Sequence, residues 1–289
     1  MKQFISRLTR PALATALALL GCGWAARGVE AQALLPYTLP LDEDRLTTTG
    51  LTLAQEAAQL TQFQQYDEAL ARIQLAAQLA PQNPQILTLM GTLYLQVGES
   101  AKAVTALENA KALSSDDPII WFTLGSAYFS EAKYLQAANA LEKGLGLEPS
   151  NPAAHFDLGN AYYKLNRYQQ AIDEYEKAIG YDDLFWPAIN NIGLVLYEMG
   201  EPDSAIEQWE RSLDVADEEP EPTLAIAVAN YAANVNRPAA IELATAALER
   251  DSRYANLDFL EENLWGNRLL TATEAMFGTP GLQEVLSGL

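Results

Sequence analysis

The sequence predicts an all-α solenoid of six helix-turn-helix repeats closed by a C-terminal capping helix, and three observations predict it. Written in rows of 34 from Gly50, the chain aligns through Arg253 without a gap. Three columns of those rows hold small residues and one holds a large apolar residue. Turn and breaker residues recur at two places in the row. A period of this length fits one helix pair, and stacked pairs bury a continuous core that no single pair could bury.

The elements follow in chain order. Lys2, Arg7 and Arg10 precede an uncharged run from Pro11 to Ala26 rich in Ala and Leu, the pattern of an export segment. Ala31-Gln32-Ala33 places small residues at the spacing a signal peptidase reads, so residues 1–33 are expected to leave after Ala33 or to stay as a membrane anchor. Leu19-Leu20-Gly21-Cys22 also loosely resembles a bacterial lipobox, which would lipidate Cys22. The apolar run is short against the ~20 residues that span hydrocarbon. In each case the basic residues stay on the cytoplasmic side and the rest of the chain crosses. Residues 34–49, with Pro36 and Pro40, read as an extended tether.

Six repeats then occupy 50–83, 84–117, 118–151, 152–185, 186–219 and 220–253. Column 8 holds Ala57, Gly91, Gly125, Gly159, Gly193 and Ala227. Column 20 is alanine in every row, from Ala69 to Ala239, and column 27 is small throughout. Column 24 is bulky: Ile73, Leu107, Leu141, Tyr175, Trp209 and Leu243. Antiparallel helices approach closely only where a small residue faces a large one, which explains the alternation. Gly98, Asn166, Gly200 and Asn234 mark the turn inside a pair, and Pro84, Pro118, Pro152 and Pro220 open helices where the missing N–H costs nothing. After the array, Leu257, Leu260, Leu264 and Trp265 predict one helix from about Tyr254 to Leu270 that seals the last pair; Thr271 to Phe277 continues it until Gly278.

These columns resemble the tetratricopeptide repeat family. Residues 152–185 match best, with Leu158, Gly159, Tyr162, Ala171, Tyr175 and Ala178; His155 replaces the usual Trp and Asp183 the usual Pro. The resemblance implies a right-handed superhelix and a binding role without naming a partner.

Composition removes several other functions. A net charge of -20, from 18 basic against 38 acidic residues, argues against nucleic acid as a partner. One Cys and one His leave little for nucleophilic or zinc chemistry, and no cofactor is expected. His155 falls in a core column, and Asp182-Asp183 and Asp217-Glu218-Glu219 sit at row ends as solvated acids with at most weak calcium affinity. The expected protein is not an enzyme.

A groove is expected instead. At about 100° per residue, columns 4, 7, 8 and 11 of each first helix form the core arc, while columns 2, 5, 9 and 12 form a second. The family resemblance implies that this second arc lines the concave surface. It carries Phe122 and Phe156, then Phe129, Tyr163, Tyr197 and Tyr231. The resemblance also implies an extended peptide held by Asn160 and Asn191, with Asn190 beside them, since an amide both donates to and accepts from a main chain. Relatives that bind acidic tails carry cations in columns 2, 5 and 6. Here those columns hold residues such as Thr88, Ala153, Asp157 and Glu221, and Lys164 is the nearest cation. A neutral or basic protein segment is the expected partner. Targeting segment, tether and array together resemble assembly or enzyme-tethering factors of bacterial envelopes and photosynthetic membranes. The stretch Leu264 to Leu270 resembles a cyanobacterial thylakoid-associated member that binds a chlorophyll-synthesis enzyme.

Overall fold

The computed structural model describes residues 42–289; the expected export segment, Cys22 and residues 34–41 of the expected tether lie outside them. Twelve α-helices form six antiparallel pairs. They are α1 (Glu43–Gln62) with α2 (Tyr66–Leu79), α3 (Pro84–Gln96) with α4 (Ser100–Leu113), and α5 (Pro118–Ser130) with α6 (Tyr134–Leu147). Next come α7 (Pro152–Lys164) with α8 (Tyr168–Tyr181), α9 (Trp186–Met199) with α10 (Pro202–Val215), and α11 (Pro220–Ala232) with α12 (Arg237–Arg250). Each second helix also packs on the first helix of the next pair, which makes the solenoid.

The small and large columns meet as expected. A Cβ added at Gly91, Gly125, Gly159 or Gly193 would stand 2.4–2.6 Å from Leu107, Leu141, Tyr175 or Trp209 respectively. Those four bulky side chains are buried at the centre of their pairs. Helix starts are capped by side chains: Asn83, Asp117 and Asn151 accept from Ile86, Ile119 and Ala154 N–H at 3.0 Å.

Every turn inside a pair has one geometry. Column 15 is left-handed in all six rows, with φ of 58° at Gln64, 75° at Gly98, 55° at Ala132, 58° at Asn166, 87° at Gly200 and 61° at Asn234. The next N–H then reaches back five residues, as from Glu99 to Tyr94 O at 2.8 Å and from Lys133 to Tyr128 O at 2.9 Å. This satisfies carbonyls that the helix end leaves open. Gly and Asn announce four of these turns; Gln64 and Ala132 adopt the same conformation unannounced.

Two expectations are corrected. Glu43 to Thr49 are not an extended tether but the opening of α1. Asp42 accepts from Arg45 N–H at 3.1 Å, and Glu43 and Asp44 lie in the first turn, where the helix dipole favours acids. The single capping helix is instead a 3-10 turn (Ser252–Ala255), α13 (Leu257–Glu262), α14 (Asn267–Phe277) and α15 (Pro280–Leu286). The break falls at Leu264, where φ is 69° and the N–H of Trp265 bonds Leu260 O at 3.0 Å.

Candidate functional site: an inner face filled at one end and open at the other

The C-terminal segment does more than seal the last pair. While α15 packs on α12, α14 turns back across the first helices α11 and α9. Glu198 at the end of α9 caps it, accepting from Arg268 N–H at 3.0 Å and Leu269 N–H at 3.1 Å. Gly266 lies against the Glu198 side chain and the Tyr163 hydroxyl, so tightly that a Cβ there would stand 2.3–2.5 Å from both. Trp265, 2% exposed, donates its indole N–H to Glu221 of α11 at 3.0 Å. Burial pushes the Glu221 carboxyl up to about 7 even though Trp265, Asn190 and Tyr254 hydrogen-bond to it. The stretch Leu264 to Leu270 thus builds this turn and the start of α14.

This packing decides the fate of the expected binding residues. Asn190 is 1% exposed, and Asn191 is buried as well. Asn191 donates to Asn160 Oδ1 at 3.0 Å, and the Tyr175 hydroxyl donates to the same oxygen at 2.7 Å. The three amides form an internal link between α7, α8 and α9; Asn160 alone still lines an open recess. Tyr163 is buried beside Tyr168 and the Gly266 turn. Tyr197 packs on Trp209 at 5.9 Å and, with Arg268 and Thr271, lines a cleft beside α14. Arg237 covers the Tyr231 ring at 4.5 Å. Lys164 borders a small recess with Tyr168, Glu198 and Glu261.

Phe122 and Phe156 are turned toward the second helices rather than along a groove. Phe122 fills the space left by Gly144 of α6, and Phe156 packs on Tyr175 of α8 at 5.7 Å and on Phe185 at 5.4 Å. The six aromatics therefore do not form one continuous strip, because a ring beside a glycine-sized gap gains more by filling it than by facing water. Phe129 is the aromatic that reaches the open inner face, in a recess of about 120 Å³ shared with Ser126, Ser130, Asp157 and Asn160.

His155 is a core residue, as expected. The residue is 6% exposed and its ring stacks on Tyr181 at 5.5 Å; Nδ1 meets Glu174 at 2.7 Å and Nε2 meets Pro149 O at 2.9 Å. Burial alone would raise the Glu174 carboxyl, but hydrogen bonds from His155 and Lys177 outweigh it and hold the group below its ordinary value. Among the described residues no group of His, Cys, Asp and Glu is arranged to hold a metal. Also among them, no helix is long and apolar enough to cross a membrane.

A stack of helix pairs with an inner face is the architecture of a protein-interaction scaffold. Two profiles described as tetratricopeptide repeat match the chain, one over residues 122–186 and 190–255, the other over 60–124, and the chain belongs to that family. No curated protein matches it. Among solved structures, MamA from Desulfovibrio magneticus RS-1 is similar at 18% identity and TM-score 0.55, covering 58% of this chain and 96% of that one. A thermophilic tetratricopeptide protein of Thermus thermophilus aligns at 20% identity and TM-score 0.51, over 62% of this chain and 98% of that one. YrrB, described as having an unusual peptide-binding site, aligns at 19% identity and TM-score 0.50, over 70% and 97%. These likenesses establish the fold.

Sequence reasoning passed over Ser126, Asp157 and the self-filling of the inner face. Two signals stood in the sequence. Asp157 is the lone acid in columns 2, 5, 6, 9, 12 and 13 of the first four rows, and Leu224 to Ala229 in α11 is an unbroken apolar run. A helix that is apolar all round must be covered on both faces.

Proposed function

We propose that the protein captures an extended segment of a partner protein on the inner face of its first four repeats, and so serves the assembly or membrane tethering of a complex. The observation that carries this reading is the contrast between the two ends of the inner face. In repeats five and six it is covered by α14. In repeats one to four it presents Gln55, Gln85, Thr88, Thr92, Thr123 and Ser126 with Phe129 among them. Hydroxyls and amides can pair a peptide main chain without imposing a charge pattern. A neutral or basic segment suits a chain of net charge -20, and nucleic acid does not.

The membrane setting rests on the sequence of residues 1–33, and the photosynthetic membrane remains the finer form of this proposal. It draws less support from Leu264 to Leu270 now that those residues have a structural role. A second reading, an envelope lipoprotein acting as an assembly component, is favoured by Leu19-Leu20-Gly21-Cys22. Mass spectrometry of the mature N-terminus separates the settings: a start at Leu34 supports export, an intact Met1 an anchor, and acylated Cys22 the lipoprotein. For the binding role, photo-crosslinking residues placed at Thr92 and Phe129 should trap bound partner, while one at exposed Leu135 of α6 should not; trapping only from Leu135 would refute the inner-face reading.

A further inference from the structure

We propose that the recess between α5 and α7 receives one lysine side chain of the captured segment, with Asp157 as its counter-ion and Phe129 as its apolar wall. The inference rests on the peptide-binding reading and specifies what that peptide carries.

The recess, about 120 Å³, is lined by Gly125, Ser126, Phe129, Ser130, Leu141, Asp157 and Asn160. Asp157 sits half-buried there and accepts one hydrogen bond, from Ser126 Oγ at 3.2 Å. Among the described residues no cation lies within ion-pair distance of it. Burial accordingly pushes the carboxyl up to about 6, with the Ser126 hydrogen bond opposing the shift. A carboxylate short of donors in a low-dielectric recess gains more from an incoming cation than one in water. The other groups that face it, Ser126 on α5 and Asn160 on its own helix, are neutral.

The geometry favours an ammonium on a flexible stem. Its three N–H groups match one carboxylate and two hydroxyl oxygens, Ser126 and Ser130. The Ser126 proton goes to Asp157 and the Ser130 proton to the Ser126 carbonyl, so both hydroxyls meet the cation as acceptors. Phe129 and Leu141 line the stem, and an aromatic face beside an ammonium adds cation–π attraction. A guanidinium could pair its fork with this carboxylate, but its N–H donors outnumber the two carboxylate and two hydroxyl oxygens that the recess offers. Asp157 is also the lone acid in columns 2, 5, 6, 9, 12 and 13 of the first four repeats, so the register of the bound segment is set at one position.

Two measurements on the full-length chain test this at about pH 8, where Asp157 is ionised. In the first, n-butylammonium is titrated while backbone amide NMR signals are followed. Saturable shifts at Ser126, Asp157 and Asn160 are expected, absent with n-butanol and weakened at least about tenfold in Asp157→Asn, an isostere that keeps the Ser126 contact. Equal shifts with n-butanol, no saturable shift, or no change in Asp157→Asn would overturn the lysine recess. In the second, a randomised library of N-acetylated, C-amidated octapeptides is selected on the protein. Lysine enriched at one position, and lost in Asp157→Asn while capture continues, supports the proposal; captured peptides without lysine contradict it. If n-butylammonium binds and no peptide is captured, the recess stands and the peptide-binding reading fails.

Discussion

Column 15 shows how one residue can be right for the repeat and wrong for its own backbone. Ala132 holds φ at 55°, where a Cβ costs roughly 1 kcal/mol or more and glycine costs nothing. Ala132→Gly is expected to stabilise the third repeat by about 0.5–1 kcal/mol, seen as slower hydrogen exchange in α5 and α6. Gly193 makes the opposite case. Its added Cβ would stand 2.4 Å from the Trp209 indole nitrogen, which also donates to Asn190 O at 3.1 Å. Gly193→Ala should lower stability by about 1–3 kcal/mol despite alanine's better helix propensity, because the fully buried indole cannot withdraw. Glycine and asparagine made the Gly98, Asn166, Gly200 and Asn234 turns readable. Gln64 and Ala132 were not readable, because there the repeat imposes a conformation that their own chemistry does not favour.

At the scale of elements, α14 and the turn before it are held by a buried carboxyl. Glu221 keeps its proton up to about 7 in the folded chain against 4.5 ordinarily, so the folded state binds more protons between those values. Stability is therefore highest below pH 4.5 as far as this group is concerned, falls as pH rises through 7, and then levels; the loss is on the order of 3 kcal/mol. Asp157, raised to about 6, acts with the same sign. Glu221→Gln keeps an acceptor for Trp265, and should flatten the difference in α11 hydrogen exchange between about pH 5 and pH 8; an unchanged difference would mean that other groups set it. Trp265→Ala should cost about 3–5 kcal/mol. In a repeat array the loss should stay local, speeding exchange in α11, α13 and α14 and leaving α2 to α4 unmoved. The capping segment was legible as an apolar stripe, but not its path. The stripe says which residues are buried and is silent on the break at Leu264, which turns α14 onto the inner face rather than the end.

Residues 42–289 form a solenoid with a divided inner face, covered by α14 in the last two repeats and clear of it in the first four. The helix pairing, the core columns and the core place of His155 were all in the sequence because they follow from a strict period. The groove was only partly there. Column arithmetic places a residue on an arc, but whether Phe122 faces a neighbour's Gly144 or the open face depends on the volumes opposite, and whether Tyr163 is available depends on a segment about a hundred residues further on. The acidity of the chain likewise lies mostly off the open strip: in columns 2, 5, 6, 9, 12 and 13 of repeats one to four, Asp157 is the single acid and Lys164 the single cation. The central claim is that partners bind the inner face of those four repeats while α14 stays in place over the rest. Hydrogen exchange of the full-length chain, with and without a peptide selected from the octapeptide library, tests it most directly. New protection along α3, α5 and α7, with α9, α11 and α14 unchanged, is the predicted result. Protection on α9 and α11 accompanied by faster exchange in α14 would contradict it, since that pattern means the partner displaces the C-terminal segment.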